Sequence, residues 1–357
     1  MKRSKAKQTH AILNLERTEL NPMVPVNLRK IWNPELFQGK KSYKNYFEGW
    51  YFKLVDAAEA HILAVIPGIS LGEDNEDSHA FIQVFNGKTG DFEYFTFPVD
   101  AFSPSSKNFA VTLGKNQFSA ESLTVDLNQS GQGIRGELHF ENVIPYPKRF
   151  FAPGLMGWGS FVPFMQCKHG IVSMNHTLQG TLEIDGEQIA FDKGKGYIEK
   201  DWGHSFPSSY IWMQSNHFTD EGISFMLALA RIPWLHTNFS GFAGLLWYNG
   251  RFHKFATYTG AQITHFEKQE QNLVRITLED RHFKSDIEAI QGSVWKLKSP
   301  HEGTMTHSTF ESLTSTINLK VYEKTSGGKR LLFEDHGRNA GLEIMDDTDE
   351  LLHDLNK

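Results

Sequence analysis

The stretch FEGWYFKLV, Phe47 to Val55, decides how the rest of the chain is read. Aromatic and β-branched residues dominate it and little in it favours a helix, so it is expected to form a β-strand. With a period of two, one face carries Tyr46, Glu48, Trp50, Phe52 and Leu54, which sets a carboxylate in a row of large apolar side chains. An acid in that position is either paired as a structural salt bridge or used for chemistry in an apolar pocket.

Outward from this strand, similar signals recur between hairpin turns. HTLQGTLEI and EQIAF flank Asp185-Gly186, GFAGLLWY and RFHKFATYTG flank Asn249-Gly250, and INLKVYE and RLLFEDH flank an SGG turn. SLTVDL and GELHFENV flank NQSGQGIR. Asn-Gly and Asp-Gly between alternating runs are strong hairpin signals, because both central residues of a type I′ turn take positive φ. Helical periodicity is confined to short pieces near the ends. The expected fold is therefore nearly all-β and antiparallel. Many short-spaced strands in 357 residues suggest two barrel-like units, with a boundary near residue 200. No short-period repeat points to a propeller or solenoid.

Composition narrows the function classes. The chain is 39% hydrophobic and 22% charged with a net charge of −6, which suits a globular protein and gives no reason to expect a nucleic-acid partner. The basic stretch MKRSKAK at the start reads as a solvated end. Cys167 is the single cysteine, so neither a disulfide framework nor a cysteine-based zinc site is expected. The segment after MKRSKAK lacks the apolar core of a signal peptide, and the uncharged run Phe150 to Cys167 is broken by prolines and glycines. These features lead to the expectation of a cytoplasmic protein.

Two familiar motifs fail in context. GQGIRG, Gly131 to Gly136, fits a dinucleotide-binding glycine pattern, but a strand follows it where a helix N-terminus would have to hold the pyrophosphate. GISLG, Gly68 to Gly72, fits a nucleophile elbow at Ser70, but an acidic loop follows it and the chain is not α/β. The 16 histidines show no H-x-H or H-E-x-x-H pair, so no metal is expected.

Four segments place acids and amides on strands rich in aromatic residues. Besides FEGWYF, they are GYIEKDWGHSFP (Gly196 to Pro207), IWMQSNHF (Ile211 to Phe218) and GIVSMNHTLQG (Gly170 to Gly180). Alternation puts Glu199 with Asp201, Lys200 with Trp202, and Trp212 with Gln214 and Asn216. Asn175 falls in a polar row and His176 in the neighbouring apolar one. Such strands fit the lining of a barrel interior that holds one apolar ligand and presents a few polar groups to it.

FEGWYF, MGWGSFVPFMQCKHGIVSMNHTLQG, GYIEKDWGHSFP and IWMQSNHF, in this order, resemble the tocopherol cyclase family, and the similarity extends to AGLEIM near the C-terminus. GYIEKDWG is also similar to the wider group of carotenoid hydratases and lipocalin-like cyclases. The resemblance implies two lipocalin-like antiparallel β-barrel domains packed side by side, residues 30–200 and 201–350. It implies a cofactor-independent cyclase, an intramolecular lyase of the isomerase class. Such an enzyme protonates an alkene of a prenylated quinol, and the phenol oxygen then attacks the carbocation to close a chromanol ring. A buried, protonated carboxyl would be the donor, and Glu48, Glu199 and Asp201 are the candidates. Trp50, Tyr51, Asn175, His176, Lys200, Trp202, Trp212, Gln214 and Asn216 are the candidate substrate-binding residues, with the rings stabilising positive charge. Asp201 and His217 depart from the family's pattern, so neither carries over from it.

Two other readings use the same strands. A non-catalytic isoprenoid carrier needs the aromatics but not the acids, and an alkene hydratase would let water capture the cation. The partner expected in every case is a hydrophobic small molecule. FFAPGLMGWGSFVPFM, Phe150 to Met165, is expected to be a glycine-hinged flap able to touch the inner face of a membrane, or else a buried inter-domain loop.

Overall fold

The computed structural model describes residues 28–129, 132–162, 165–234, 237–269, 272–345 and 349–355. MKRSKAK lies outside the described residues, as do Pro163 and Phe164 of the expected flap.

The first sheet contains β1 (Tyr46–Val55), β2 (Ile62–Leu71), β3 (His79–Asn86), β4 (Phe92–Phe97), β5 (Phe102–Pro104), β6 (Ala110–Leu113), β7 (Asn116–Ser119), β8 (Ser122–Gln129), β9 (Gln132–Glu141), β10 (Cys167–Ile184), β11 (Glu187–Ala190) and β12 (Lys195–Gly203). Its strand order is β4-β3-β2-β1-β12-β10-β9-β8-β7-β6-β5, with β11 on β10. The second contains β13 (Tyr210–Ser215), β14 (Ser224–Trp234), β15 (Thr237–Tyr248), β16 (Arg251–Ala256), β17 (Gln262–Gln269), β18 (Leu273–Glu279), β19 (Phe283–Ile290), β20 (Trp295–His301), β21 (Thr304–Thr325) and β22 (Gly328–Met345). Its order is β16-β15-β14-β13-β22-β21-β19-β18-β17, with β20 on β21. The described pairings within both sheets are antiparallel, so the expected fold class is the architecture observed. The chain crosses from one sheet to the other at residues 204–209.

The expected hairpins form where both turn residues can take positive φ. Asp185 and Gly186 sit at φ 51° and 86° between β10 and β11, and Asn249 and Gly250 at 49° and 73° between β15 and β16. Ser70, by contrast, lies within β2, buried, and its Oγ donates to the Gly303 carbonyl at 2.8 Å. No elbow turn is present there.

One expectation is corrected. Neither sheet closes into a barrel: β4 and β5 are the two ends of the first strand path, and β16 and β17 the ends of the second. Each sheet instead curls around its own core. Phe95 of β4 and Phe102 of β5 belong to one buried cluster with Trp50, Phe52 and Leu54 of β1. Phe255 of β16 and Phe266 of β17 share another with Met213 and Leu342. Those interiors are filled by side chains, as close packing demands. A third cluster lies between the sheets and mixes Tyr51, Phe85 and Tyr197 of the first with Trp212, Met226 and Leu313 of the second. The strands at this seam are therefore buried on both faces, one against their own core and one against the other sheet.

Polar bonds tie the seam. Lys53 donates to Gln214 Oε1 at 2.7 Å and to the Asn339 carbonyl at 2.6 Å, and Asn216 donates to Asn175 Oδ1 at 2.9 Å. Burial lowers the Lys53 pKa to about 7. Among the described residues no helix is long and apolar enough to cross a membrane.

Within the first sheet, Gly180 of β10 takes φ 127°, and a Cβ there would lie 2.3 Å from the Glu137 carbonyl oxygen of β9. Gly180→Ala should therefore lower folding stability by on the order of 2–3 kcal/mol, read as a lower urea midpoint at unchanged m-value.

Candidate active site between the two sheets

A cavity of about 570 Å³ opens at the seam. β1 and β12 build one wall with their odd-numbered residues, Tyr51 on β1 and Glu199 and Asp201 on β12. The even-numbered residues of the same strands, such as Phe52 and Ile198, turn into the first sheet's core. β10 adds Cys167 and His169 to this wall. The facing wall carries Tyr210 and Trp212 of β13, Thr309 and Glu311 of β21 and Glu343 of β22. The flap covers one side with Leu155, Met156 and Trp158.

Four carboxyl groups thus face one apolar space. Glu311 and Glu343 are direct partners in the antiparallel register of β21 and β22. Like charges directly opposite repel, so such a pair resists full ionisation. Burial raises the pKa of Glu311 well above the ordinary carboxylate range, and the Glu343 charge pushes it further, against the opposing hydrogen bond from Tyr51. The Tyr51 hydroxyl donates to Glu311 Oε1; Oε2 has no hydrogen-bond partner among the described residues. Burial raises Glu343 to about 7, although Tyr210 donates to its Oε2 at 2.5 Å and Thr309 at 3.0 Å.

On the other wall, Glu199 Oε2 accepts from the Tyr197 hydroxyl at 2.5 Å and from Trp212 Nε1 at 3.0 Å. Burial raises its pKa to about 7, opposed by the neighbouring His169. His169 Nδ1 lies 2.9 Å from Asp201 Oδ1, and its Nε2 is 3.4 Å from Glu199 without hydrogen-bond alignment. Burial disfavours the imidazolium, but the Glu199 and Asp201 carboxylates outweigh burial and raise His169 to about 9. His169, Glu199 and Asp201 offer ligand atoms within 4.8 Å of one another, a spacing a cation could bridge. His169 Nδ1 is engaged with Asp201, and Glu199 Oε2 accepts from Tyr197 and Trp212, whereas His169 Nε2 has no hydrogen-bond partner among the described residues.

Of the residues singled out from the sequence, Glu199, Asp201, Tyr51 and Trp212 line the cavity. Glu48 does not. It is fully buried on the opposite face of β1, 2.5 Å from Lys200 Nζ. The amides of Gln38 and Gly39 and the Tyr46 hydroxyl also donate to it. Lys200 further donates to the Pro34 and Leu36 carbonyls at 2.7 and 2.5 Å and sits over the rings of Trp50 and Trp202. Glu48, Lys200, Trp50 and Trp202 therefore form a buried ion pair walled by indoles, away from the cavity. Asn175, Gln214 and Asn216 belong to the polar bonds of the seam and lie off the cavity wall. His176 packs on Phe140 and bonds Ser173 Oγ at 2.9 Å, with burial lowering its pKa to about 3.

His169, Tyr210, Glu311 and Glu343 were not singled out. The signal for the two glutamates was present: Glu311 alternates with Leu313 in FESL, and Glu343 stands between Leu342 and Ile344. Both repeat the signature of an acid in an apolar strand that drew attention to Glu48.

The fold and site define an all-β protein with an acid-walled apolar cavity between two curled sheets. The sequence model of the tocopherol cyclase-like family matches residues 128–345, more than half of the chain, and the chain belongs to that family. It is 26% identical over 196 residues to the probable chloroplastic tocopherol cyclase of Oryza sativa subsp. japonica. It is 25% identical over 196 residues to the chloroplastic tocopherol cyclase of Zea mays. Each match covers 53% of this chain and 41% of the relative, so the chain spans less than half the length of these curated relatives. Among solved structures it is similar to CghA with Sch210972, with a TM-score of 0.52 at 10% identity over 84% of this chain and 88% of that one. It is also similar to a putative AttH of Nitrosomonas europaea, with a TM-score of 0.50 at 10% identity over 86% and 94%. These two likenesses show the shared fold.

Two outcomes are expected. Glu48→Gln and Lys200→Met should each destabilise the protein by about 3–5 kcal/mol by orphaning a buried charge, while the double variant recovers much of the loss in urea unfolding. Glu311→Gln should behave oppositely. A raised folded pKa means that the wild type loses stability as pH climbs from the unfolded-state carboxyl pKa toward the folded one. The variant's urea midpoint should therefore exceed wild type at pH 8, with the gain vanishing toward pH 4.

Proposed function

We propose that this protein is an acid-catalysed cyclase that closes a chromanol ring from a prenylated quinol in the inter-sheet cavity. The single observation that supports it is a buried carboxyl group, Glu311, set directly opposite Glu343, with its Oε2 bare in an apolar space and its pKa pushed well above the ordinary carboxylate range by burial and by the Glu343 charge. An ordinary carboxylate cannot protonate an alkene; a desolvated one facing a second carboxylate keeps its proton until a weak base is pressed against it.

In this reading Glu311 delivers its proton to the less substituted carbon of the prenyl double bond and leaves a tertiary cation. The rings of Tyr51, Trp212 and Tyr210 lie along the same walls and stabilise that charge through their faces. The phenol oxygen attacks the cation and forms the C–O bond. Its released proton goes to Glu199, whose pKa of about 7 suits it to accept, beside the bonded pair of His169 and Asp201. Substrate and product have the same atoms and oxidation level; ring closure leaves Glu311 ionised and Glu199 protonated, and exchange with water on product release returns a proton to Glu311 and removes one from Glu199. Exclusion of water by Leu155 and the flap would keep hydration from competing with ring closure.

The chloroplastic tocopherol cyclases of rice and maize supply the analogy for the substrate class. A carrier would use the same rings and volume but has no use for four convergent carboxyl groups, and this favours catalysis. The test is conversion of prenylated quinols by purified protein, with lipid binding measured separately. Glu311→Gln and Glu199→Gln should each lower kcat by about 10²–10⁴-fold while binding persists. Wild-type kcat should rise as pH climbs through about 7, where Glu199 ionises and becomes able to accept the proton, and fall at higher pH as Glu311 loses its own. Lipid binding without ring closure from any quinol offered, unaltered by either substitution, would favour a carrier.

A further inference from the structure

Among the described residues the three most exposed large apolar side chains are Phe151 at 79%, Phe150 at 69% and Trp158 at 61%, and all three lie on the flap. The rings of this stretch are linked in space. Phe150 and Phe151 pack edge to face at 4.9 Å, and Trp32 bridges Phe150 at 5.5 Å to Phe161 at 5.2 Å. Trp158 and Phe161 lie three apart on the 3-10 turn Gly157–Phe161, which puts them on the same side.

The flap is not loose. Leu155 is fully buried at the seam, Tyr146 donates to the Gly154 carbonyl at 2.8 Å, and Tyr258 donates to the Leu155 carbonyl at 2.5 Å. Gly157 takes φ 57°, and any Cβ there would strike the Tyr258 ring. The fold thus holds these aromatic rings outward, where hydration opposes them, and the same Trp158 also forms part of the cavity wall.

We propose that this outer face docks on an anionic lipid bilayer and sets the cavity mouth against it. Three observations select that occupant. Lys148 and Arg149 directly precede the two phenylalanines; Lys148 is paired with Glu35, but Arg149 has no ion-pair partner among the described residues. A cation beside aromatic rings complements an anionic headgroup above acyl chains. Four partly exposed rings offer on the order of 500 Å², short of the roughly 800 Å² per partner of a stable protein interface. Whatever covers this face also lies at the cavity entrance, where a bilayer can deliver an apolar molecule and a rigid protein partner would plug the way. The docking rests on the apolar-ligand reading of the cavity and not on whether a ring is closed there.

The test is co-sedimentation of the full chain with vesicles, without substrate, so that failure of the cyclase reading leaves it untouched. Vesicles of phosphatidylcholine with phosphatidylglycerol should bind the protein more tightly than phosphatidylcholine alone, and added salt should narrow the difference. Phe150→Ser with Phe151→Ser, at side chains that do not line the cavity, should weaken binding roughly tenfold or more. Arg149→Glu should weaken binding to the anionic vesicles only. Unchanged melting curves would show that both variants are folded. The proposal is overturned if wild type stays in the supernatant at every lipid concentration or if the serine variant sediments like wild type. A lipid-free dimer that the serine substitutions dissociate would equally overturn it.

Discussion

The site depends on an exchange of hydrogen-bond donors across the seam. Tyr51 of the first sheet donates to Glu311 of the second, and Trp212 of the second donates to Glu199 of the first. Each acid thus takes a hydrogen bond from the opposite sheet; if the sheets separate, Glu311 loses Tyr51 and Glu199 keeps only Tyr197. A buried acceptor left without its donor loses about 1–3 kcal/mol, so the two bonds favour one relative placement of the sheets. The Lys53, Gln214 and Asn216 contacts work in the same direction beside them.

Holding acids in such a place has an energetic consequence. A shift of the Glu199 pKa to about 7 corresponds to on the order of 3 kcal/mol lost at high pH relative to a solvated glutamate. The fold tolerates this because three large buried clusters surround the cavity and because Tyr197, Tyr210 and Thr309 supply donors to the carboxyl oxygens. Glu48 shows the other solution to the same problem. With Lys200, two backbone amides and Tyr46 around it, its carboxyl oxygens are fully partnered, and those bonds hold residues 34–39 against β1.

The flap joins these features to the outside. Its inner side chains, Leu155 and Met156, close the cavity, and its outer rings stand in water. The glycines of GLMGWG let a short segment do both, since Gly157 lets the Tyr258 ring approach more closely than any side chain would allow.

Strand identity, the Asp-Gly and Asn-Gly hairpins, the side-by-side β architecture and the family were legible in the chain alone, because they depend on local φ preferences and on residue types repeated at period two. The same period places Glu199, Asp201 and Tyr51 on common faces. It does not say which face meets the cavity, and here alternation carried no information: β1 and β12 are buried on both sides, so the row of Glu48 and the row of Tyr51 look equally apolar. Only the tertiary structure turned Glu48 toward Lys200 and Glu199 toward the seam. Only the register of β21 on β22, set by strands whose long-range pairing no local pattern specifies, brought Glu311 opposite Glu343 and put two glutamates more than thirty residues apart in sequence face to face in one cavity wall.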